Sequence, residues 1–265
     1  MTARVLVTGA ARGIGAACAQ AFAETGARVA VADLAAPVAK GPSFACDVSN
    51  AAAVAAMADG LRAVWGGLDV VVHCAGIIHE APLLDTSLAD FDRVIAVNLR
   101  GSFLIGRAAI GLLTPDTAHP PRVLMIASDM AHYGRETFSP YVASKHGVLG
   151  LVRSWAKEFA PGILVNALCP GPIDTDMLGA AHMSAEWRAK ELAIPLARFG
   201  QPDEAAATAL FLAGPEQVTL PRQMFTGIRE NISPVIAAVA TILILFSTAL
   251  LLALEWLRGR VEAKT

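Results

Sequence analysis

Five consecutive residues, Tyr141-Val142-Ala143-Ser144-Lys145, set a phenol and an ammonium four positions apart. On a helix that spacing stacks the two on one face, one turn apart. A cation beside a phenol lowers its pKa from near 10, so the tyrosine can give or take a proton at a carbonyl or alcohol oxygen near neutral pH. Taken alone, such a pentapeptide is more often a solvated helical face. Ser128, 13 residues earlier, follows the apolar run 123–127, which is expected to be a strand. A hydroxyl at the carboxyl end of that strand can orient a substrate oxygen. A second constellation, Thr8-Gly9-Ala10-Ala11-Arg12-Gly13-Ile14-Gly15, closes the first apolar run. Its glycines turn the backbone tightly and let a pyrophosphate approach the N–H groups that open the next helix. The following apolar run ends in Asp33, 18 residues beyond Gly15. A carboxylate there accepts hydrogen bonds from both ribose hydroxyls of an adenosine and repels a 2′-phosphate, which favours NAD(H) over NADP(H). A plain loop acid is the competing account of Asp33, and Arg12 could still contact a phosphate.

These residues need a scaffold, and the chain is patterned to supply one. Apolar runs at 4–7, 28–32, 68–73, 122–127 and 163–168 read as buried parallel strands. Longer segments at 14–25, 51–65, 88–113 and 141–159 lie between or after them, each long enough for a helix. The β-α-β-α order predicts an α/β fold, a Rossmann-type doubly wound parallel sheet, in which ligands bind beyond the carboxyl ends of the strands.

Composition narrows the function. In 265 residues, 21 Lys+Arg against 23 Asp+Glu give a net charge of −2, which argues against nucleic-acid binding. The hydrophobic share of 55% against 17% charged is too apolar for disorder and high for an ordinary soluble domain. Cys18, Cys46, Cys74 and Cys169 lie far apart without a C-x-x-C pair, so neither a metal site nor a disulfide framework is expected. The N-terminus runs straight into the first strand without a secretory signal pattern, which places the N-terminal part in the cytosol.

Over about residues 5–215 the sequence closely resembles the classical short-chain dehydrogenase/reductase family. The glycine turn, Asp47-Val48, Asn98, the Ser128/Tyr141/Lys145 set and Pro170-Gly171 carry the likeness. The resemblance implies hydride transfer between nicotinamide and an alcohol or ketone, with Tyr141 as general acid or base and Ser128 binding the substrate oxygen. Lys145 would hold the nicotinamide ribose and depress the Tyr141 pKa, and Asn98 would position a relay water. Thr175 would bond the carboxamide, and Thr8, Gly9, Arg12, Gly13, Ile14, Gly15, Asp33, Asp47, Val48, Ala75, Gly76, Asn98, Tyr141, Lys145, Pro170, Gly171 and Ile173 complete the cofactor site. His73-Cys74-Ala75-Gly76 departs from the family's Asn-Asn-Ala-Gly, and Cys74 reads either as a small core residue or as a redox-sensitive thiol. His132 and Tyr133 face substrate or are ordinary loop residues, and the segment from Asp174 to Phe199 reads as a mobile substrate lid.

The ending departs further, because the family's last strand and Gly-rich tail are not found after Pro215. Residues 231–254 comprise 24 uncharged positions, where roughly 20 span a bilayer. The segments expected are thus a dehydrogenase domain over 1–215, a junction at 216–233, a transmembrane helix at 234–257 and a polar tail at 258–265. The tail resembles the last segment of polyamine-type ABC-transporter permease subunits. A cytoplasmic domain tethered to a membrane follows, with homo-oligomers possible through the family's interfaces. The rivals to an active enzyme are a membrane-tethered cofactor-binding pseudoenzyme and a non-functional gene fusion.

Overall fold

The computed structural model describes residues 2–214. The segments expected at 216–233, 234–257 and 258–265 lie outside the described residues, as does the fate of the family's last strand. No helix among the described residues is long and apolar enough to cross a membrane.

Six strands, β1 (Arg4–Thr8), β2 (Arg28–Asp33), β3 (Ser43–Ala45), β4 (Val70–His73), β5 (Arg122–Ile126) and β6 (Leu164–Leu168), form one sheet of order β3-β2-β1-β4-β5-β6. All pairings are parallel. The helices are α1 (Gly13–Glu24), α2 (Ala51–Trp65), α3 (Leu88–Val94), α4 (Gly101–Ile110), α5 (Ser139–Phe159), α6 (Ala185–Glu191) and α7 (Pro202–Ala213). Side chains alternate across the strands and feed two cores. Leu6, Ala30, Val71, Val123 and Met125 pack with α2, α4 and α5 on one face. Val5, Val7, Val31, Val72 and Leu124 pack with α1 and α7 on the other. A sheet covered on both faces needs apolar residues at consecutive positions, which is why the strands read as unbroken apolar runs.

Several elements differ from the sequence expectation: α6 and α7 lie outside the expected helical segments, and two further differences bear on the sheet and the site. β3 has three residues, too short to carry a periodic signal. The helix expected over 88–113 is three pieces, because a π-helical stretch, Ile95–Arg100, separates α3 from α4. The Gly101 N–H donates to the carbonyl of Ala96, five residues back, and the wider turn carries Asn98 at a fully buried position. Periodicity does not register one extra residue per turn, and such turns gather at functional sites.

The strand order reverses direction at β1/β4, and the crevice opens beyond their carboxyl ends. At the other end of the sheet, β6 pairs only with β5 among the described residues, and four of its five residues are only partly buried.

Candidate active site

A cavity of about 580 Å³ runs along the carboxyl ends of the strands. Every residue expected at the site lines it except Thr8 and Asn98. The turn after β1 works because of two glycines. Gly9 sits at φ +67, and a Cβ on it would lie 2.6 Å from the Ala75 nitrogen; a Cβ on Gly15 would lie 2.0 Å from the Gly9 carbonyl oxygen. The first-turn N–H groups of α1 have no acceptor within the helix and open onto the crevice, a ready anion site.

Asp33, at the end of β2, accepts from the N–H of Ala11 at 2.9 Å and of Leu34 at 2.8 Å. It therefore ties the glycine turn to β2 while its carboxylate stays at the crevice wall. Arg12 points to Asp176, 3.4 Å away, and both side chains are exposed. Asp47 accepts from the N–H and hydroxyl of Ser49, and Val48 is buried beneath it. Past β6, Gly200 donates to Pro172 and Asp174 to Gly200, which fixes the Pro170–Thr175 strip. There the Thr175 methyl would lie 3.3 Å from a Cβ on Gly13, so the strip packs against the glycine turn.

Thr8 is placed otherwise than expected. It is fully buried, and its hydroxyl bonds His73 Nδ1 at 2.6 Å. Alternation along β1 puts position 8 on the same face as Leu6, and Thr8 does not line the cavity. Desolvation, helped by the Lys145 charge, lowers the His73 pKa to about 3, so the imidazole is neutral and its Nε2 is buried without a partner. The next residue, Cys74, is partly buried and faces the cavity while its thiol contacts Cys18 on α1. That contact pushes the Cys74 thiol well above its ordinary range and pulls Cys18 down.

Ser128, Tyr141 and Lys145, the residues expected to be catalytic, lie together on the cavity wall. On α5, Tyr141, Ser144, Lys145, Val148 and Val152 share the buried face. Ser128 follows β5 directly, and its hydroxyl is in hydrogen-bond contact with the Tyr141 phenol. Lys145 Nζ donates to the Ile126 carbonyl at 2.9 Å and lies 5.6 Å from the centroid of the Tyr141 ring. The expected lowering of the phenol pKa is not what the unliganded site shows. Burial pushes Tyr141 up to about 12; the Ser128 hydrogen bond works downward, and the Asp129 charge adds to the rise. Burial also brings Lys145 down to about 8, which weakens the cation that was to act on the phenol. Desolvation is the largest influence on both groups.

Asn98 is a clamp rather than a wall of the cavity. Its Nδ2 donates to the Ile77 carbonyl at 2.8 Å and to Ser144 Oγ at 3.0 Å, while its Oδ1 accepts from the Ile77 N–H at 2.8 Å. It thereby holds the β4 loop where Gly76 meets Lys145, whose Nζ would stand 3.6 Å from a Cβ on Gly76.

Five residues that the spacing did not single out, Asp129, Met130, Arg135, Phe138 and Glu191, line the outer cavity beside Trp187. Tyr133 is half exposed and outside the lining, but its hydroxyl donates to Asp129 Oδ2 at 2.7 Å; His132 is exposed and also outside the lining. The position of Asp129 directly after Ser128 was the one available signal. The segment expected as a lid carries a 3₁₀ turn, Ala180–His182, and α6, and contributes Met177, Met183 and Trp187 to the wall. No group of metal-ligating side chains is found among the described residues.

Residues 9–221 match the family described as Enoyl-(Acyl carrier protein) reductase. D-threitol dehydrogenase of Mycolicibacterium smegmatis is 39% identical over 221 residues, covering 78% of this chain and 84% of that protein. A 3-oxoacyl-(acyl-carrier-protein) reductase of Thermotoga maritima is 34% identical over 224 residues, 80% of this chain and 90% of that one. Among solved structures, a short-chain type dehydrogenase/reductase of Mycobacterium marinum superposes with a TM-score of 0.73 at 34% identity, covering 80% of this chain and 88% of that one. Aldohexose dehydrogenase of Thermoplasma acidophilum in ligand-free form gives 0.72 at 32% identity, with 80% and 87% covered. With this site geometry and these relatives, the chain belongs to the short-chain dehydrogenase/reductase family, oxidoreductases that act on CH–OH groups.

Proposed function

We propose that the chain interconverts an alcohol and a ketone with NAD(H) in preference to NADP(H), Tyr141 carrying the proton. The observation that supports it is the Ser128–Tyr141 contact with Lys145 one turn on, at the mouth of a cavity whose other end is a glycine turn on a helix N-terminus. The residues present fit a dinucleotide: the turn closes this tightly on the β4 loop and on α1 only because Gly9 and Gly15 lack a Cβ, and Asp33 stands at the end of β2. Gly13–Gly15 would hold the phosphates, Asp33 the adenosine ribose and Thr175 the carboxamide. A bound nicotinamide supplies the acceptor or donor of the hydride.

This chain's own side chains handle the proton and the orientation. Ser128 Oγ and the Tyr141 phenol together receive the substrate oxygen. A phenol held protonated is a competent acid toward a developing alkoxide. Lys145, fixed by the Ile126 carbonyl, places its charge beside the ring, where it eases removal of the same proton in the opposite direction. The carboxylate of Asp33 is what favours NAD(H), since a 2′-phosphate beside it meets like charge.

NADH titrated into the full-length protein, with NADPH as control, tests the cofactor reading: saturable binding that favours NADH is expected, and equal affinities would defeat the Asp33 argument. Tyr141→Phe should abolish turnover while NADH binding persists, and substantial remaining turnover would remove Tyr141 from its role. NADH binding without turnover of any alcohol or ketone would favour a pseudoenzyme. The same proposal includes an appended, permease-like tail that tethers the domain through 234–257; the uncharged stretch 231–254 supports it. Recovery of the full-length chain in the aqueous fraction without detergent would refute the tether.

A further inference from the structure

The outer wall of the cavity has a charge arrangement that the reaction itself does not call for. Arg135 pairs with Glu191 and lies between the rings of Phe138 and Trp187, 4.9 and 5.1 Å from their centroids, so its charge is balanced and its faces are covered. Asp129 has no cation within ion-pair distance among the described residues. Its N–H donates to the Pro170 carbonyl at 2.9 Å, which fixes the backbone. Its Oδ1 accepts from Ser128 Oγ at 3.0 Å and from the Met130 N–H at 2.8 Å. Oδ2 accepts only from Tyr133, lies 3.7 Å from where a Cβ on Gly171 would be, and so keeps an acceptor site facing the cavity floor. Exposed Glu80 at the cavity rim adds negative charge.

We propose that Asp129 is a specificity-determining residue, and that the substrate is a neutral vicinal diol or polyol whose second hydroxyl donates to the Asp129 carboxylate while the first sits on Ser128 and Tyr141. The inference rests on the alcohol–ketone reading above and adds to it the substrate class. Ser128 marks the reacting oxygen, and the Asp129 carboxylate begins one hydrogen-bond length from it. The open Oδ2 belongs to the same carboxylate, so it is adjacent to Ser128, and the adjacent oxygens of a vicinal diol can reach both sites. A carboxylate is an acceptor only; at this position it has nothing to offer an alkyl group and it repels a carboxylate or phosphate. A site built to bond a hydroxyl rejects the analogue that lacks it, because its own polar group is left unpaired.

Propane-1,2-diol, lactate and butan-2-ol form the test panel, with full-length wild type and Asp129→Asn assayed for kcat and KM with NAD. Lactate carries a carboxylate where the diol carries a hydroxymethyl group, and butan-2-ol carries only carbon. Wild type is expected to prefer the diol over both by at least about tenfold in kcat/KM, the worth of one hydrogen bond to a charged acceptor. In Asp129→Asn the diol-to-lactate ratio is expected to fall by about tenfold or more through a lower KM for lactate, a gain that a misfolded variant cannot produce. Any change in the phenol affects all three substrates, so the ratios isolate the contact. Wild-type turnover of butan-2-ol without a diol preference, or an unchanged diol-to-lactate ratio in the variant, overturns the role of Asp129 and leaves the oxidoreductase reading intact. No turnover of any of the three by a protein that binds NADH overturns both.

Discussion

Replacing Asn98 by alanine strips three hydrogen bonds from one buried side chain. The Ser144 hydroxyl keeps its bond to the Tyr141 carbonyl, so the loss falls on the N–H and C=O of Ile77. A buried orphaned group costs about 1–3 kcal/mol, and the Ile77 peptide is only partly buried, so the lower half of that range applies to each. The sum is about 2–4 kcal/mol. For a unit of this size that lowers Tm by about 4–16 °C. The consequence reaches the chemistry, because Ile77 follows Gly76, which lies against Lys145. A loosened loop leaves Lys145 and the phenol less well placed, so kcat should fall together with Tm. Thermal melts of full-length wild type and Asn98→Ala, followed by turnover with NAD at a temperature where both are folded, provide the assay. Asn98→Asp separates the two halves of the clamp, since it keeps the acceptor for the Ile77 N–H and sets a carboxylate against the Ile77 carbonyl. A melt of Asn98→Ala within about 1 °C of wild type would refute the clamp, and unchanged kcat with a lowered Tm would confine its role to stability.

Gly15→Ala sets a Cβ 2.0 Å from the Gly9 carbonyl, backbone against backbone, so NADH affinity in a fluorescence titration should drop by more than about tenfold and unchanged affinity would contradict the cradle. His73 has a folded pKa of about 3 against 6.5 for the ordinary group, so between those values the unfolded chain binds more protons. Stability therefore falls as pH drops from about 6.5 toward 3, and His73→Asn should flatten that slope in denaturant melts. The chain has two tyrosines, so in a Tyr133→Phe background the only phenol left is Tyr141. Its ultraviolet titration should centre near pH 12 and move downward when Asp129→Asn removes a neighbouring negative charge; an upward or absent shift would show that Asp129 does not act on the phenol.

Much of the candidate site is legible in the sequence. The Tyr141–Lys145 spacing survives folding because α5 keeps one regular period over 21 residues, so i and i+4 must share a face. The glycine turn and Asp33 lie at the ends of neighbouring parallel strands, and register alone brings them together. Asn98 was legible only by resemblance. Its burial depends on a π-helical stretch whose extra residue leaves no mark in hydrophobic periodicity.

What the sequence determined is therefore order and local spacing: which runs become strands, which face of α5 is buried, and where the backbone must turn without a Cβ. Those are short-range properties, fixed by sterics and by the period of each element. Only the tertiary structure decided the electrostatics. Whether a cation lowers a phenol or burial raises it depends on how many protein atoms replace water around both, and that number comes from segments far apart in the chain. Lys145 stands one turn from Tyr141 as the spacing requires, while desolvation of Tyr141 is set by the packing of β5, α5 and the loops around them. The same holds for Asp129: its neighbour Ser128 is visible in the sequence, but only the tertiary structure leaves it without an ion-pair partner among the described residues, Arg135 being held by Glu191 and two aromatic rings.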